Sequence, residues 1–319
     1  MTEHPASAPM GGAGVVARVA MPKPLTFRRR YRQELRAYAF LWPALLILGL
    51  LMVYPLLQVI RMSFFDVSVM KESWVGLDNY AALLQTSLFW QVLWQTILFT
   101  AGSVILHLVI GLGLALLLHA KINARFRSFM RGLLIIPWLL APTVAGMIWV
   151  LMLAPFGVVN GLLQSLGLLD PSATVNWLGS PETSLLSVTA MNVWRAFPFF
   201  LVMLLAGLQA IPEELYEAAD IDGTSALAKF WYITLPGLRG VITTVILLDS
   251  IWTFRAFDPV YVMTGGGPIN SSEVLATAIY FDAFQKLKFG YASAEAVVMF
   301  VILFAVSAVY VRRAVREIG

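Results

Sequence analysis

Six runs of predominantly apolar residues, at about 39–60, 93–118, 133–153, 185–206, 241–263 and 294–311, alternate with shorter polar or charged segments. A hydrocarbon layer about 30 Å thick needs roughly 20 helical residues to cross it. The runs "LLILGLLMVYPLL" and "VVMFVILFAVSAVYV" are continuously apolar, whereas a barrel strand would alternate apolar and polar positions over about ten residues. The expected fold is therefore all-α: a polytopic membrane protein with six transmembrane helices. Residues 1–36 read as a disordered, basic tail, rich in Ala, Gly and Pro and without apolar period as far as Leu25. Residues 37–319 read as the transmembrane domain.

Composition strengthens the membrane reading. The chain has 319 residues, of which 59% are hydrophobic and 13% charged, with mean hydropathy +0.79, far more apolar side chain than a soluble core of this size requires. Prolines 43, 55, 137, 142 and 198 fall inside the apolar runs. The carbonyls they free need a neighbouring helix or a water-filled cavity as partner, which suits a transporter or channel better than a passive anchor.

Charge sets the expected orientation. Sixteen of the 22 Lys and Arg residues fall in four segments: Arg18 to Arg36, Lys121 to Arg131, Lys229 with Arg239, and Arg312, Arg313 and Arg316. The positive-inside rule makes these cytoplasmic, so both termini lie inside. The alternate loops carry Lys71, Lys286 and Lys288, and none of the cations falls in 154–184. "RRRYRQELR" precedes an apolar run too long for a secretory signal and lacks a small-residue cleavage site, so the run reads as a retained anchor.

Absence of cysteine excludes disulfides, thiol nucleophiles and Cys-ligated metal. His4, His107 and His119 are too scattered for a metal cluster, and no metal site is expected. His107 lies inside the second run, where an ionisable side chain is a functional candidate; the alternative is a neutral helix–helix hydrogen-bonding residue.

With both termini inside, residues 207–240 form the longest cytoplasmic loop. In "IPEELYEAADI", Pro212 stands near a helix start, with Glu213, Glu214 and Glu217 in the first turns, where the helix dipole favours negative charge. Asp222-Gly223 stops this helix, and Thr224 and Ser225 can cap a second one that Pro236 ends. The expectation is a compact helix–turn–helix on the membrane face. Its apolar positions, Leu215, Ala218, Ala219, Ile221, Phe230, Trp231 and Ile233, exceed what a solvated loop needs, so it should dock on something.

The loop resembles a known family. Glu217-Ala218-Ala219, Asp222, Gly223, then Ile233, Leu235 and Pro236 match without a gap the "EAA" loop of ABC-importer membrane subunits. "WVGLDNY" at 74–80, "AGLQAIPEELYEAADIDG" at 206–223 and "FRAFDPVYVMTGGGP" at 254–268 are similar to the carbohydrate-uptake branch, in particular the larger membrane subunit of the maltose importer. The resemblance covers the chain from about residue 40 onward. It lacks extra N-terminal helices and a large external insertion.

The resemblance implies a permease subunit in a bacterial cytoplasmic membrane, surrounded by lipid. It implies partnership with a second homologous permease subunit, two ATPase subunits and an extracytoplasmic solute-binding protein, with no role for nucleic acid. ATP and Mg²⁺ would be bound by the ATPase subunits, and this chain would hold no cofactor and no catalytic residue. ATP binding would draw the coupling loops together and open the bundle outward; hydrolysis would reset it.

Sequence negatives agree. "TGGGP" lacks the Lys-Ser or Lys-Thr of a phosphate loop and reads as a tight external turn. Gly111 and Gly113 read as helix-packing residues. No H-E-x-x-H or G-x-S-x-G occurs, and the halves show no self-similarity of the kind secondary transporters display. A secondary transporter, or an importer subunit for a non-sugar solute, is the alternative.

The fourth and fifth runs carry Arg195, Asp249 and Arg255. Helical spacing puts Asp249, Trp252, Thr253 and Ala256 on one face and Asn192, Arg195, Ala196 and Phe199 on another. A carboxylate beside an aromatic ring suits a sugar, whose hydroxyls bond the acid while its apolar face lies on the indole. By the resemblance these eight positions coincide with the mid-membrane sugar site. The alternative is packing plus one buried ion pair between Arg195 and Asp249, which lie at similar depth. If Arg195 is instead unpaired, its planar fork suits an anionic group on the solute, such as a sulfonate, carboxylate or phosphate.

Overall fold

A computed structural model of the chain describes residues 41–68, 71–120 and 123–318. The tail read as disordered, its basic segment Arg18 to Arg36, and Lys121 lie outside the described residues. The described residues up to Leu56 fall in one unit and those from Leu57 in a second.

The described part of the first unit is the start of helix α1 (Leu41–Met62). This helix contains a π turn at Gly49–Val53, and Pro55 follows two residues after that turn. A π turn widens the backbone ladder by one residue, which makes room for a ring that would otherwise clash with the preceding turn.

The second unit opens with a hairpin, β1 (Phe65–Ser68) and β2 (Lys71–Trp74), paired antiparallel with Phe65 opposite Trp74. "WVGLDNY" locks it in place. Asn79 Nδ2 donates to the carbonyls of Ser63 and Phe65, both at 2.9 Å, Tyr80 and Ser63 share a 2.7 Å hydroxyl contact, and Trp74 packs on Phe64 and Phe65. This strand pair is an addition to an otherwise helical chain.

The helices follow as α2 (Asp78–Gln85), α3 (Ser87–His119), α4 (Ala124–Leu139), α5 (Pro142–Met152), α6 (Val158–Ser165), α7 (Ser184–Gln209) and α8 (Glu213–Ile221). Next come α9 (Ala226–Phe254), α10 (Asp258–Met263), α11 (Leu275–Tyr280, running on through a π turn at Phe281–Gln285) and α12 (Phe289–Ile318). Five of the described helices are long and apolar enough to cross a membrane, and a sixth span exists if α4 and α5, bent by 95° at Leu140-Ala141, count as one.

Helix α7 is central, because 72% of its most apolar window is buried inside the chain against 33% or less for the other long helices. Its main partner is α3. Val104, Ala115 and Leu118 of α3 meet Phe200, Leu204 and Leu208 of α7 and Leu238 and Val245 of α9. Gly111 lets α3 and α7 approach: a Cβ there would stand 2.5 Å from the Cβ of Phe200 and 3.0 Å from the Leu201 nitrogen. Gly113 has nothing within 4 Å of such a Cβ, so of these two glycines Gly111 is the one that packs.

Besides the bend that divides the 133–153 run, two boundaries differ from the sequence expectation. The fifth run was expected at 241–263, but α9 ends at Phe254 and α10 is a separate helix. Pro259 explains the break, since it lacks the N–H an uninterrupted helix would use and disfavours helical backbone at the residue before it. Pro236 was expected to end the second helix of the cytoplasmic loop, yet α9 runs from Ala226 to Phe254. A π turn at Phe230–Thr234 precedes Pro236 by the same spacing seen before Pro55. The second helix of the loop is thus the beginning of a membrane-crossing helix.

Candidate functional site

The faces expected on the fourth and fifth runs converge. Asn192, Arg195, Ala196 and Phe199 of α7 and Asp249, Trp252 and Thr253 of α9 line one cavity of about 290 Å³, together with Ala256 just beyond the end of α9. Ala256 reaches it from the α9–α10 connection, since the helical face it was assigned to stops at Phe254.

Sequence spacing missed the rest of the lining: Trp138 and Pro142 at the α4–α5 bend, and Arg255, Phe257, Asp258 and Pro259 around the α9–α10 break. Irregular backbone at membrane depth is tolerated where it borders a cavity or protein, and both breaks do so. Pro142 announces freed backbone in the sequence, but not whether the helix kinks or ends there.

One wall is aromatic. Phe199 stands 5.3 Å from Trp252 and 6.0 Å from Trp138, centroid to centroid. Trp252 and Trp138 remain 44% and 41% exposed in the isolated chain, so their faces are open to the cavity or its surroundings rather than consumed by packing.

The polar wall has an unexpected organisation. Asp249 is buried, and its Oδ2 lies 2.7 Å from Nδ1 of His107, which is itself 0% exposed on α3. His107 Nε2 lies 3.2 Å from the backbone oxygen of Asn192. Asn192 Nδ2 donates to Ser103 Oγ at 3.1 Å, and Thr253 Oγ1 donates to Asp249 Oδ1 at 3.4 Å. His107 thus ties α3 to both cavity helices, as a helix–helix hydrogen-bonding residue would.

Among the described residues no ion pair joins Arg195 to Asp249; the acid's partner is the histidine. The Nε of Arg195 is buried without a hydrogen-bond partner. A buried donor in that state is costly unless something enters to satisfy it.

At the other end of α7 the loop 207–240 has a defined geometry. Helix α8 starts after Pro212 and places Glu213 and Glu214 in its first turn. Asp222 caps its end, and Gly223 takes φ +69°, the left-handed conformation that glycine adopts without a Cβ penalty. The Ser225 hydroxyl then caps α9 by accepting from the Ala228 nitrogen at 3.3 Å. Lys229 pairs with Asp220, and the Tyr216 hydroxyl lies 3.0 Å from Thr234 Oγ1, so α8 is pinned against the first turns of α9.

Glu217 and Ala218 are exposed on α8, Ala219 is half-buried, and Ile233 and Leu235 are half-buried on α9 with Pro236 exposed. Leu215, Ile221, Leu227, Trp231 and Tyr232 add large exposed apolar side chains. An apolar surface of this kind on a short polar hairpin marks an interaction face.

"TGGGP" forms a turn with positive φ at Gly265 and Gly266. Beside it, burial pushes the Glu273 carboxyl above the ordinary glutamate range, with Lys286 opposing the shift and Asp282 adding to it. Lys286 is bonded to Asp282 at 2.7 Å, which raises its own pKa. Among the described residues no group of three or more His, Cys, Asp or Glu could hold a metal ion.

Comparison with known proteins gives a consistent neighbourhood. Residues 107–317 match the sequence profile of the binding-protein-dependent transport system inner membrane component. The sulfoquinovosyl glycerol transport system permease protein of Agrobacterium fabrum is 38% identical over 88% of this chain and 90% of its own length. The trehalose/maltose transport system permease protein of Thermococcus litoralis is 34% identical over 92% and 98%. A crystal structure of a bacterial ABC transporter involved in import of the acidic polysaccharide alginate contains a chain of similar fold, with TM-score 0.77 at 23% identity, covering 89% of this chain and 98% of the other.

Proposed function

Because the chain belongs to the family of binding-protein-dependent transport system inner membrane components, we propose that it is the permease subunit of an ATP-driven importer that carries a saccharide through the cavity between α7 and α9. One observation carries this reading: the eight residues that helical spacing put on two separate faces line a single cavity with an aromatic wall and hydrogen-bonding acids and amides. That equipment matches a polyhydroxylated ring, whose hydroxyls need acceptors and whose apolar face needs an aromatic surface. Relatives that are permease proteins of trehalose/maltose and sulfoquinovosyl glycerol transport systems support the saccharide class.

The solute bears an anionic group in this reading. Among the described residues Arg195 forms no ion pair with an acid, its Nε lacks a partner, and a guanidinium fork binds sulfonate or carboxylate through paired N–H donors. Asp249, Asn192 and Thr253 take the hydroxyls, with Trp252 and Phe199 beneath the ring. A neutral sugar is the second reading, supported by the trehalose/maltose relative.

The chain is a multi-pass inner-membrane protein whose relatives are transport permeases. ATP and Mg²⁺ are held by two ATPase subunits, a second homologous permease completes the pathway, and an extracytoplasmic binding protein delivers solute. Both termini and the 207–240 loop face the cytoplasm. The hairpin with Glu217, Ala218, Ala219, Asp222 and Gly223, followed by Ile233, Leu235 and Pro236, docks on an ATPase subunit through the exposed apolar side chains around it, and the pinned α8–α9 junction passes that motion into the helix that lines the cavity.

The test is uptake by liposomes containing the assembled complex, with binding protein outside and ATP inside. Saccharide accumulation that requires both ATP and the ATPase subunits is expected. Accumulation driven by this chain alone would make it a secondary transporter.

A further inference from the structure

We infer that His107, which stands behind the cavity wall and not on it, sets the charge that a solute meets there. The backbone oxygen of Asn192, 3.2 Å from His107 Nε2, can only accept a hydrogen bond, so Nε2 carries a proton. Asp249 Oδ2, 2.7 Å from Nδ1, also only accepts while it is ionised. The couple therefore holds one proton more than a neutral ring facing a carboxylate. It is either an imidazolium donating to a carboxylate or a protonated Asp249 donating to a bare Nδ1. Both arrangements sum to zero charge. The remaining tautomer, protonated on Nδ1 alone, would press the Nε2 lone pair against a carbonyl oxygen inside a fully buried site and leave Nε2 an unsatisfied acceptor facing another acceptor, which is costly.

The consequence concerns the whole lining. By side-chain type the cavity carries two cations, Arg195 and Arg255, and two acids, Asp249 and Asp258, which cancel. With the charge of Asp249 absorbed by His107, the balance is one positive charge. Asp258 and Arg255 are both exposed, whereas the Nε of Arg195 is buried and unpartnered. His107 is thus a positioning residue for charge selectivity, acting through Asp249. The effect on transport rests on the cavity being the solute site proposed above; the proton count does not.

Two measurements on the assembled importer separate these claims. In nitrogen-15 spectra of histidine-labelled complex, with the His107 signals identified by their loss in His107→Asn, Nε2 should be protonated and Nδ1 either protonated or accepting a strong hydrogen bond. A ring protonated on Nδ1 alone overturns the inference, whatever the importer carries. For transport, uptake of methyl glucoside is compared with that of its 6-deoxy-6-sulfonate analogue. His107→Asn keeps a donor toward Asp249 but cannot supply the extra proton, so the sulfonate-to-neutral ratio should fall roughly tenfold or more, and His107→Asn with Asp249→Asn should restore it to within about threefold. An unchanged ratio in His107→Asn, or a double variant as low as the single, overturns the selectivity role. Should the wild-type complex carry neither probe, the solute assignment falls while the nitrogen spectrum still decides the proton count.

Discussion

Asp249 faces His107 and not Arg195: its Oδ2 stands 2.7 Å from Nδ1 of a histidine 142 residues earlier in the chain. This contact locks α3 to the cavity face of α9, and among the described residues no ion pair ties the cavity arginine to an acid. Most of the functional account follows from that division of labour.

The aromatic wall should act on the solute more than on assembly. Trp252→Ala removes a ring whose stacking contributes about 0.5–1.5 kcal/mol beyond burial, so saccharide uptake should fall several-fold, and Thr253→Ala should lower it through the lost Asp249 contact. Complex yield after purification is the companion measurement. If yield falls in proportion to uptake, these side chains serve packing.

Coupling should fail at the α8–α9 junction without loss of insertion. Glu217→Lys reverses an exposed acid on the docking face. Gly223→Pro demands φ near −65° where the backbone has +69°. Both variants should abolish solute-stimulated ATPase activity while membrane-inserted protein persists. Full stimulation in both would remove the coupling role from this hairpin.

Packing between α3 and α7 should depend on Gly111 and ignore Gly113. Gly111→Val drives a side chain into Phe200 and the Leu201 backbone, and overpacking of this kind costs about 1–3 kcal/mol. Thermal unfolding of the purified complex should shift down for Gly111→Val and stay in place for Gly113→Ala. Equal shifts would mean that the α3–α7 contact is looser than described.

Glu273 gives a pH signature. Its carboxyl pKa is raised above 4.5 by burial, so the folded state favours the protonated form. The stability this contributes is complete below the ordinary glutamate value and is lost as pH rises through the raised one. The melting temperature of the wild-type complex should decline across that interval relative to Glu273→Gln, in which the contribution cannot titrate. Parallel profiles would show that the carboxyl ionises in place at no cost.

The helical faces were legible in the sequence because 3.6-residue periodicity needs no knowledge of neighbours. Asn192, Arg195, Ala196 and Phe199, and separately Asp249, Trp252 and Thr253, could be grouped from spacing alone, and they line one cavity. What spacing could not supply was the partner of Asp249, because His107 is distant in sequence and reaches it only through the α3–α9 contact. Trp138 and Pro142 were hidden for a different reason. They sit at a 95° bend, and an apolar run gives no sign of whether a proline within it kinks the helix or ends it. Pro236 shows the reverse error: it promised an end that a π turn absorbs. At Pro259 no π turn absorbs the ring and the helix ends, which brought Asp258 and Arg255 to the cavity.

The most direct test of the cavity as the solute site compares Arg195→Ala, Asp249→Ala and the double variant in ATP-driven uptake of a neutral saccharide and its acidic analogue by the assembled importer. Because no ion pair joins the two residues among those described, neither change should rescue the other. Arg195→Ala should lose the acidic analogue selectively, Asp249→Ala should lower both substrates, and the double variant should be worse than either single change. Recovery in the double variant of what each single change loses would mean that Arg195 and Asp249 serve each other and not the solute, and would contradict the account.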